Sequence, residues 1–298
     1  MGQWRPRIAI TVGDPAGIGP EIAARAADDT RVRDSCETVI YAPPPNTHFT
    51  PGELAAEAGR AAYDCIVRAV DDARAGAVDA IATAPINKLA FARAGIPWKG
   101  HTDLLAHLCG VSRVAMLFHA PELDVVLATV HVPLSDVPHL LTRELMVDII
   151  RLTARSMPDF GVSRPRIAVA GLNPHAGEDG LLGTEDLATI APAVDDARAS
   201  GINVSGPHPA DTIFTRATRG EFDVVIACYH DQGLIPIKLL SFGRAVNVTI
   251  GLPIVRTSVD HGTAFDIAGK GLADPGSMIE AVLLAARLAT ARRTPAIS

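Results

Sequence analysis

Asp223-Val-Val-Ile-Ala-Cys-Tyr-His230 decides how this chain folds. Its β-branched run lacks the polar alternation of a half-exposed strand, so it predicts a strand buried on both faces, the kind found in parallel sheets covered by helices. Asp124-Val-Val-Leu-Ala-Thr-Val-His131 repeats the pattern, and Ile167-Ala-Val-Ala-Gly-Leu172 does so just before Asn173-Pro174-His175. Outward from these, strands are expected at 8–12, 38–41, 80–83 and 113–118, alternating with Ala/Leu segments of helical period at 53–75, 140–157 and 184–199. The fold class expected is α/β.

Length and composition agree. The 298 residues, 48% hydrophobic and 20% charged, suffice for one large α/β unit or two domains and argue against disorder. A net charge of -6 excludes a sequence-independent nucleic-acid binder, which would need a Lys/Arg excess. No apolar run has the length of a membrane span, and the basic start is broken by Gly13 and Asp14 before it can serve as a secretion signal. Cys36, Cys65, Cys109 and Cys228 are scattered without a CxxC pair, as expected of free thiols in the cytoplasm.

Three of the ten histidines, His131, His175 and His230, follow predicted strands, at the edge where open parallel sheets bind ligands. Each alone reads equally as a hydrogen-bonded loop residue. Together, three imidazoles suit a divalent cation with one position left open, although they lie too far apart in sequence for any short metal motif. Asp136, Glu178, Asp211 and Asp231 sit beside them as candidate orienting or proton-transferring carboxylates, with Asp211 equally a helix N-cap.

Gly13-Asp-Pro-Ala-Gly-Ile-Gly-Pro-Glu21 opens a helix after the first strand, and reads either as a glycine cradle for an anion or as a structural turn. It is not a GxGxxG fingerprint. Lys88, His101, Thr102, Lys238, Asn247 and Arg256 are expected in short loops; the last of these sit in apolar surroundings that call for a phosphate, a carboxylate or an internal ion pair.

GDPAGIGPE at 13–21, TAPINK at 83–88, GHT at 100–102, NPHAGE at 173–178, PADT at 209–212, YHDQG at 229–233 and VNVTIGLPIVRTSVDHGTAFDIAG at 246–269 occur in the order in which the 4-hydroxythreonine-4-phosphate dehydrogenase family carries them. The chain resembles that family from about residue 8 to 285, with a contracted segment at 43–52. The resemblance implies an isocitrate/isopropylmalate dehydrogenase-like fold of two α/β domains with an interdomain cleft, residues 1–97 plus 270–298 forming one and 98–269 the other, which carries the metal ligands and the interface of a homodimer. It implies a divalent metal (Zn, Mg or Co) on His131, His175 and His230 with one ligand crossing the dimer interface, and substrate residues His101, Thr102, Lys238, Asn247 and Arg256. Asp211 and Asp231 fall near the centre as catalytic candidates with Lys238, and His261, Gly262, Thr263 and Asp266 belong to the loop for NAD or NADP. The implied reaction is oxidation and decarboxylation of 4-phosphohydroxy-L-threonine in pyridoxal phosphate biosynthesis, or of D-threonate or D-erythronate 4-phosphate to dihydroxyacetone phosphate and CO2. From the residues alone, a metal-dependent hydrolase of a phosphorylated small molecule is the rival.

Overall fold

The computed structural model describes residues 4–293. Its ten strands are β1 (Arg7–Thr11), β2 (Glu37–Tyr41), β3 (Ala80–Thr83), β4 (Ala115–Ala120), β5 (Leu123–Leu127), β6 (Ile167–Ala170), β7 (Val204–His208), β8 (Val224–Ala227), β9 (Val246–Ile250) and β10 (Val255–Ser258). The expected strands are all present within a few residues. β7, β9 and β10 were not anticipated, because glycine, asparagine and arginine interrupt their apolar runs.

The chain divides into two units, one running to Val114 and resuming at Val246, the other Ala115–Ala245. The boundaries expected from sequence were 97/98 and 269/270, with the domain ends at 1–3 and 294–298 lying outside the described residues. Packing explains the difference: the helix His101–Cys109 buries Leu104 and Leu105 in the first unit's core, and β10 pairs with β3.

The first unit orders its strands β2-β1-β3-β10-β9, parallel except where β9 meets β10. Its core joins Ala9 and Ile81 to Ile66, Val70 and Phe91. The second unit runs β4-β5-β8-β6-β7, with β5, β8, β6 and β7 parallel and β4 antiparallel to β5. Val125, Leu127 and Val225 meet Ile213, Leu234 and Ile237 in its core. Every residue of β3, β6, β8 and β10 is buried, as two-sided coverage by helices requires.

Side-chain caps start several helices: Thr142 Oγ1 accepts from Leu145 N–H at 3.1 Å, and Asn87 Oδ1 from Leu89 and Ala90 N–H. Lys88 and His101 open helices instead of lying in loops, Lys88 behind the Asn87 cap and His101 after Gly100 without a side-chain cap; Lys238 sits within a helix, and Asn247 and Arg256 are strand residues. The helix expected at 184–199 begins as a π-turn, Asp186–Ile190, before Ala191–Ala199. The segment 43–52 has no regular secondary structure. Among the described residues no helix is long and apolar enough to cross a membrane, and all four cysteines are free.

The glycine segment 13–19 resolves as a packed turn. A Cβ on Gly19 would stand 1.8 Å from Val12 O, and one on Gly13, at φ +65°, 2.2 Å from Pro85 O. Its amides are also engaged: Asp14 N–H donates to Pro85 O, Gly17 N–H to Asp14 O and Ile18 N–H to Thr263 O. The anion-cradle reading is thereby replaced by the structural one. Gly19→Ala is expected to destabilise the protein by about 3 kcal/mol, read from the urea midpoint; a loss below about 1 kcal/mol would show that the backbone yields there.

Candidate active site

The second unit presents its chemistry beyond the carboxyl ends of β5, β8 and β6, adjacent parallel strands whose ends share one edge. His131 follows β5, His230 opens the helix His230–Ser241 after β8, and His175 follows β6. The His131 and His230 rings lie 5.5 Å apart, centroid to centroid. His230 Nδ1 is 2.7 Å from Asp231 Oδ1, and His175 Nδ1 is 3.0 Å from Glu178 Oε2. A carboxylate on Nδ1 leaves Nε2 as the free lone pair, the arrangement that orients metal-binding imidazoles. The donor chemistry fits a divalent cation. One chain nevertheless brings only two of the three histidines together: among the described residues no three His, Cys, Asp or Glu side chains form a group able to hold a metal.

His175 stands in an unusual place. From His175 to Asp179 the backbone is left-handed, with φ of +53°, +55°, +83°, +43° and +54°, and only the third residue is glycine. Non-glycine residues in this region cost about 1–2 kcal/mol each. Fully buried Asp186 secures the approach, accepting from Leu172 N–H at 2.8 Å and from Asn173 N–H and Nδ2 at 3.0 Å. Gln232 ties the strand ends together, its Oε1 accepting from Cys228 N–H at 2.6 Å while its Nε2 donates to Gly171 O at 2.8 Å. Sequence reasoning missed both residues. Gln232 lies inside the YHDQG motif, but nothing marks Asp186 before the fold is known.

The remaining candidates of this unit are partly placed. Lys238 is half-buried on the helix of His230, seven positions beyond Asp231 and about 20° around the axis from it. Asp211 is exposed in the first turn of Ala210–Thr218, whose N-cap is Pro209, so it is not the capping residue. That helix packs against the 174–180 turn.

The first unit holds a different arrangement. Arg256 is 2% exposed; its Nη2 donates to Thr83 Oγ1 at 2.7 Å, its Nη1 to Thr249 Oγ1 at 2.9 Å, and its buried Nε has no partner. Burial pushes the guanidinium down to about 9, which leaves it charged at neutral pH. His101 Nε2 and Asn247 Oδ1 are likewise buried without partners. Burial first, and the charge of Arg256 second, hold the His101 imidazole well below its usual range. Thr102 follows on the same helix, half-buried. A buried cation beside a neutral imidazole, with polar atoms awaiting partners, suits an oxyanion.

The loop after β10 carries His261, Gly262, Thr263 and Asp266. Thr263 O accepts from Ile18 N–H, Lys270 Nζ donates to Asp266 O at 2.6 Å, and the His261 and Asp266 side chains remain exposed.

The family model for the pyridoxal phosphate biosynthetic protein PdxA matches residues 13–285. The chain is 44% identical over 331 aligned positions to the 4-hydroxythreonine-4-phosphate dehydrogenase of Desulforapulum autotrophicum, covering 97% of each. It is 41% identical to the D-threonate 4-phosphate dehydrogenase of Cupriavidus necator, over 98% of this chain and 100% of that one. Among solved structures, the 4-hydroxythreonine-4-phosphate dehydrogenase of Klebsiella pneumoniae is similar at TM-score 0.88 and 41% identity, covering 97% of this chain and 99% of that one.

The lowered affinity of His101 for a proton makes a stability statement. Its pKa is depressed in the folded state, so between that value and about 6.5 the unfolded chain binds the additional proton and stability declines as pH falls. Tm is expected to drop between pH 7 and pH 5.5, and to drop less steeply in His101→Gln; equal slopes would remove His101 as the source.

Proposed function

The chain belongs to the family of the pyridoxal phosphate biosynthetic protein PdxA, and from that premise we propose that it oxidises 4-phosphohydroxy-L-threonine with NAD or NADP. The secondary hydroxyl becomes a ketone in 2-amino-3-oxo-4-phosphobutanoate, and loss of the carboxylate as CO2 leaves 3-amino-2-oxopropyl phosphate. The observation carrying this reading is the buried, uncompensated charge of Arg256 on a chain whose relatives act as dehydrogenases of phosphorylated hydroxy acids. The 41% identity to a D-threonate 4-phosphate dehydrogenase favours a second substrate with the same phosphate and the same hydroxyl β to a carboxylate, giving dihydroxyacetone phosphate. The three relatives are dehydrogenases, and the hydrolase reading is not retained.

Arg256 binds an anionic group of the substrate, His101, Thr102 and Asn247 add neutral hydrogen bonds, and Lys238 takes the hydroxyl proton as the hydride leaves. Asp231 orients His230 through Nδ1, and Asp211 lies in the first turn of a helix packed against the turn of His175. His261, Gly262, Thr263 and Asp266 receive the cofactor. A divalent cation on His131, His175 and His230, zinc, magnesium or cobalt, would when bound supply Lewis acidity at the reacting oxygen, and the nicotinamide the hydride acceptor.

We assign His175 to the site of a second copy, because one chain pairs only His131 with His230. An exposed apolar stripe on the His230 helix and just beyond it, Ile235, Leu239 and Phe242 at 65%, 83% and 84%, supports a homodimer. The free thiols accord with the cytoplasm, where we place the enzyme.

Reduced cofactor should appear at 340 nm when purified protein, divalent metal and NAD meet 4-phosphohydroxy-L-threonine, with stoichiometric CO2. A higher kcat/KM on D-threonate 4-phosphate would select the second substrate, and no turnover on either would end the reading. Mixing inactive His175→Ala and His131→Ala proteins should restore about a quarter of wild-type activity, since random pairing leaves one intact site in each hybrid dimer; no restoration would place all three histidines in one chain.

A further inference from the structure

Arginines are buried as a rule against carboxylates, which neutralise the charge while satisfying its donors. Arg256 is 2% exposed, and both its terminal nitrogens meet hydroxyls instead: Thr83 Oγ1 on β3 at 2.7 Å and Thr249 Oγ1 on β9 at 2.9 Å. Thr83 is fully buried and Thr249 3% exposed, so no water completes either group from bulk solvent.

The Thr83 hydroxyl also has a fixed direction. Thr83 Oγ1 receives the Arg256 proton and has one of its own, for which Ser258 Oγ at 3.1 Å and Thr257 O at 3.4 Å are the acceptors. Ser258 Oγ in turn donates to Thr83 O at 3.4 Å. The Thr83 and Ser258 protons therefore point away from the guanidinium, and a Thr83 lone pair faces it. The strand register makes this possible by pairing Thr83 with Ser258 across β3 and β10.

We propose that Thr83 and Thr249 are positioning residues that fix the plane of the Arg256 guanidinium with neutral partners, so that its charge stays available for the phosphate or carboxylate of the substrate. A carboxylate at either position would hold the arginine equally well, but the substrate's anion would then have to compete with it. The hydroxyl pair gives orientation without compensation, and buried Nε, one of the guanidinium's other donors, stays unpartnered for the ligand. Thr83 lies in TAPINK and Thr249 in VNVTIG, motifs in which attention falls on Lys88 and Asn247.

The inference rests on Arg256 being the anion-binding residue, and the experiment separates the two. Steady-state kinetics would be run with the phosphorylated substrate, with inorganic phosphate as a competitive inhibitor, on Thr83→Val, Thr249→Val, Thr83→Ser and Arg256→Ala, with Tm measured for each. Thr83→Val and Thr249→Val are expected to raise substrate KM and phosphate Ki about tenfold each, with kcat changed less than about threefold and KM for NAD unchanged. Thr83→Ser should return both constants to within about twofold of wild type. If either valine variant keeps substrate KM and phosphate Ki within twofold while Arg256→Ala raises them, the positioning role is wrong. If Arg256→Ala itself leaves both unchanged, the assignment of Arg256 falls instead. Should a valine variant fail to fold, Thr83→Ser and Ser258→Ala are read alone: binding preserved in the first and weakened in the second supports the hydroxyl chain, and unchanged binding in the second overturns it.

Discussion

A turn that runs left-handed through four non-glycine residues does not persist on its own, and at 175–179 it is the buried carboxylate of Asp186 that anchors the chain entering it. That single group collects two backbone amides and a side-chain amide at the end of β6. The strained turn that carries His175 and the π-turn Asp186–Ile190 that opens the following helix meet at this carboxylate. Gln232 extends the same constraint sideways, fastening the end of β8 to the end of β6 and so fixing where the His230 helix begins.

The two units solve opposite electrostatic problems. The first hides a cation and keeps a histidine neutral, so its polarity is stored in the interior and is read only by a group that matches it. The second keeps His175 and His230 accessible and pairs each with a carboxylate, so its imidazoles are oriented but not enclosed. Burial sets the behaviour of one, hydrogen bonding that of the other. Buried Cys228 illustrates the difference within the second unit: its thiol is driven upward by burial and stays an inert packing group beside Ala170 O.

Much of this was legible in the sequence, and the gaps have physical causes. Continuous β-branched runs gave β3, β5, β6 and β8, because strands covered on both sides need no polar alternation. β9 and β10 carry no such signal, because Asn247 and Arg256 lie inside them and interrupt the apolar run. The long helix Gly276–Arg293 is equally silent in the sequence, because it buries residues on nearly all sides and has no apolar stripe. The glycines of 13–19 signalled a close approach correctly, but what approaches is the chain's own backbone. A left-handed turn in Asn173-Pro-His-Ala-Gly-Glu-Asp179 has no sequence signal, since three-dimensional surroundings alone sustain it.

The helix His230–Ser241 begins with an imidazole and leads into the bare phenyl ring of Phe242. A surface redesign that replaced Leu239 and Phe242 with charged residues would act on the helix that carries His230 and Lys238 and on the residue that ends it. The exposed apolar surface there cannot be edited without editing the element that His230 opens.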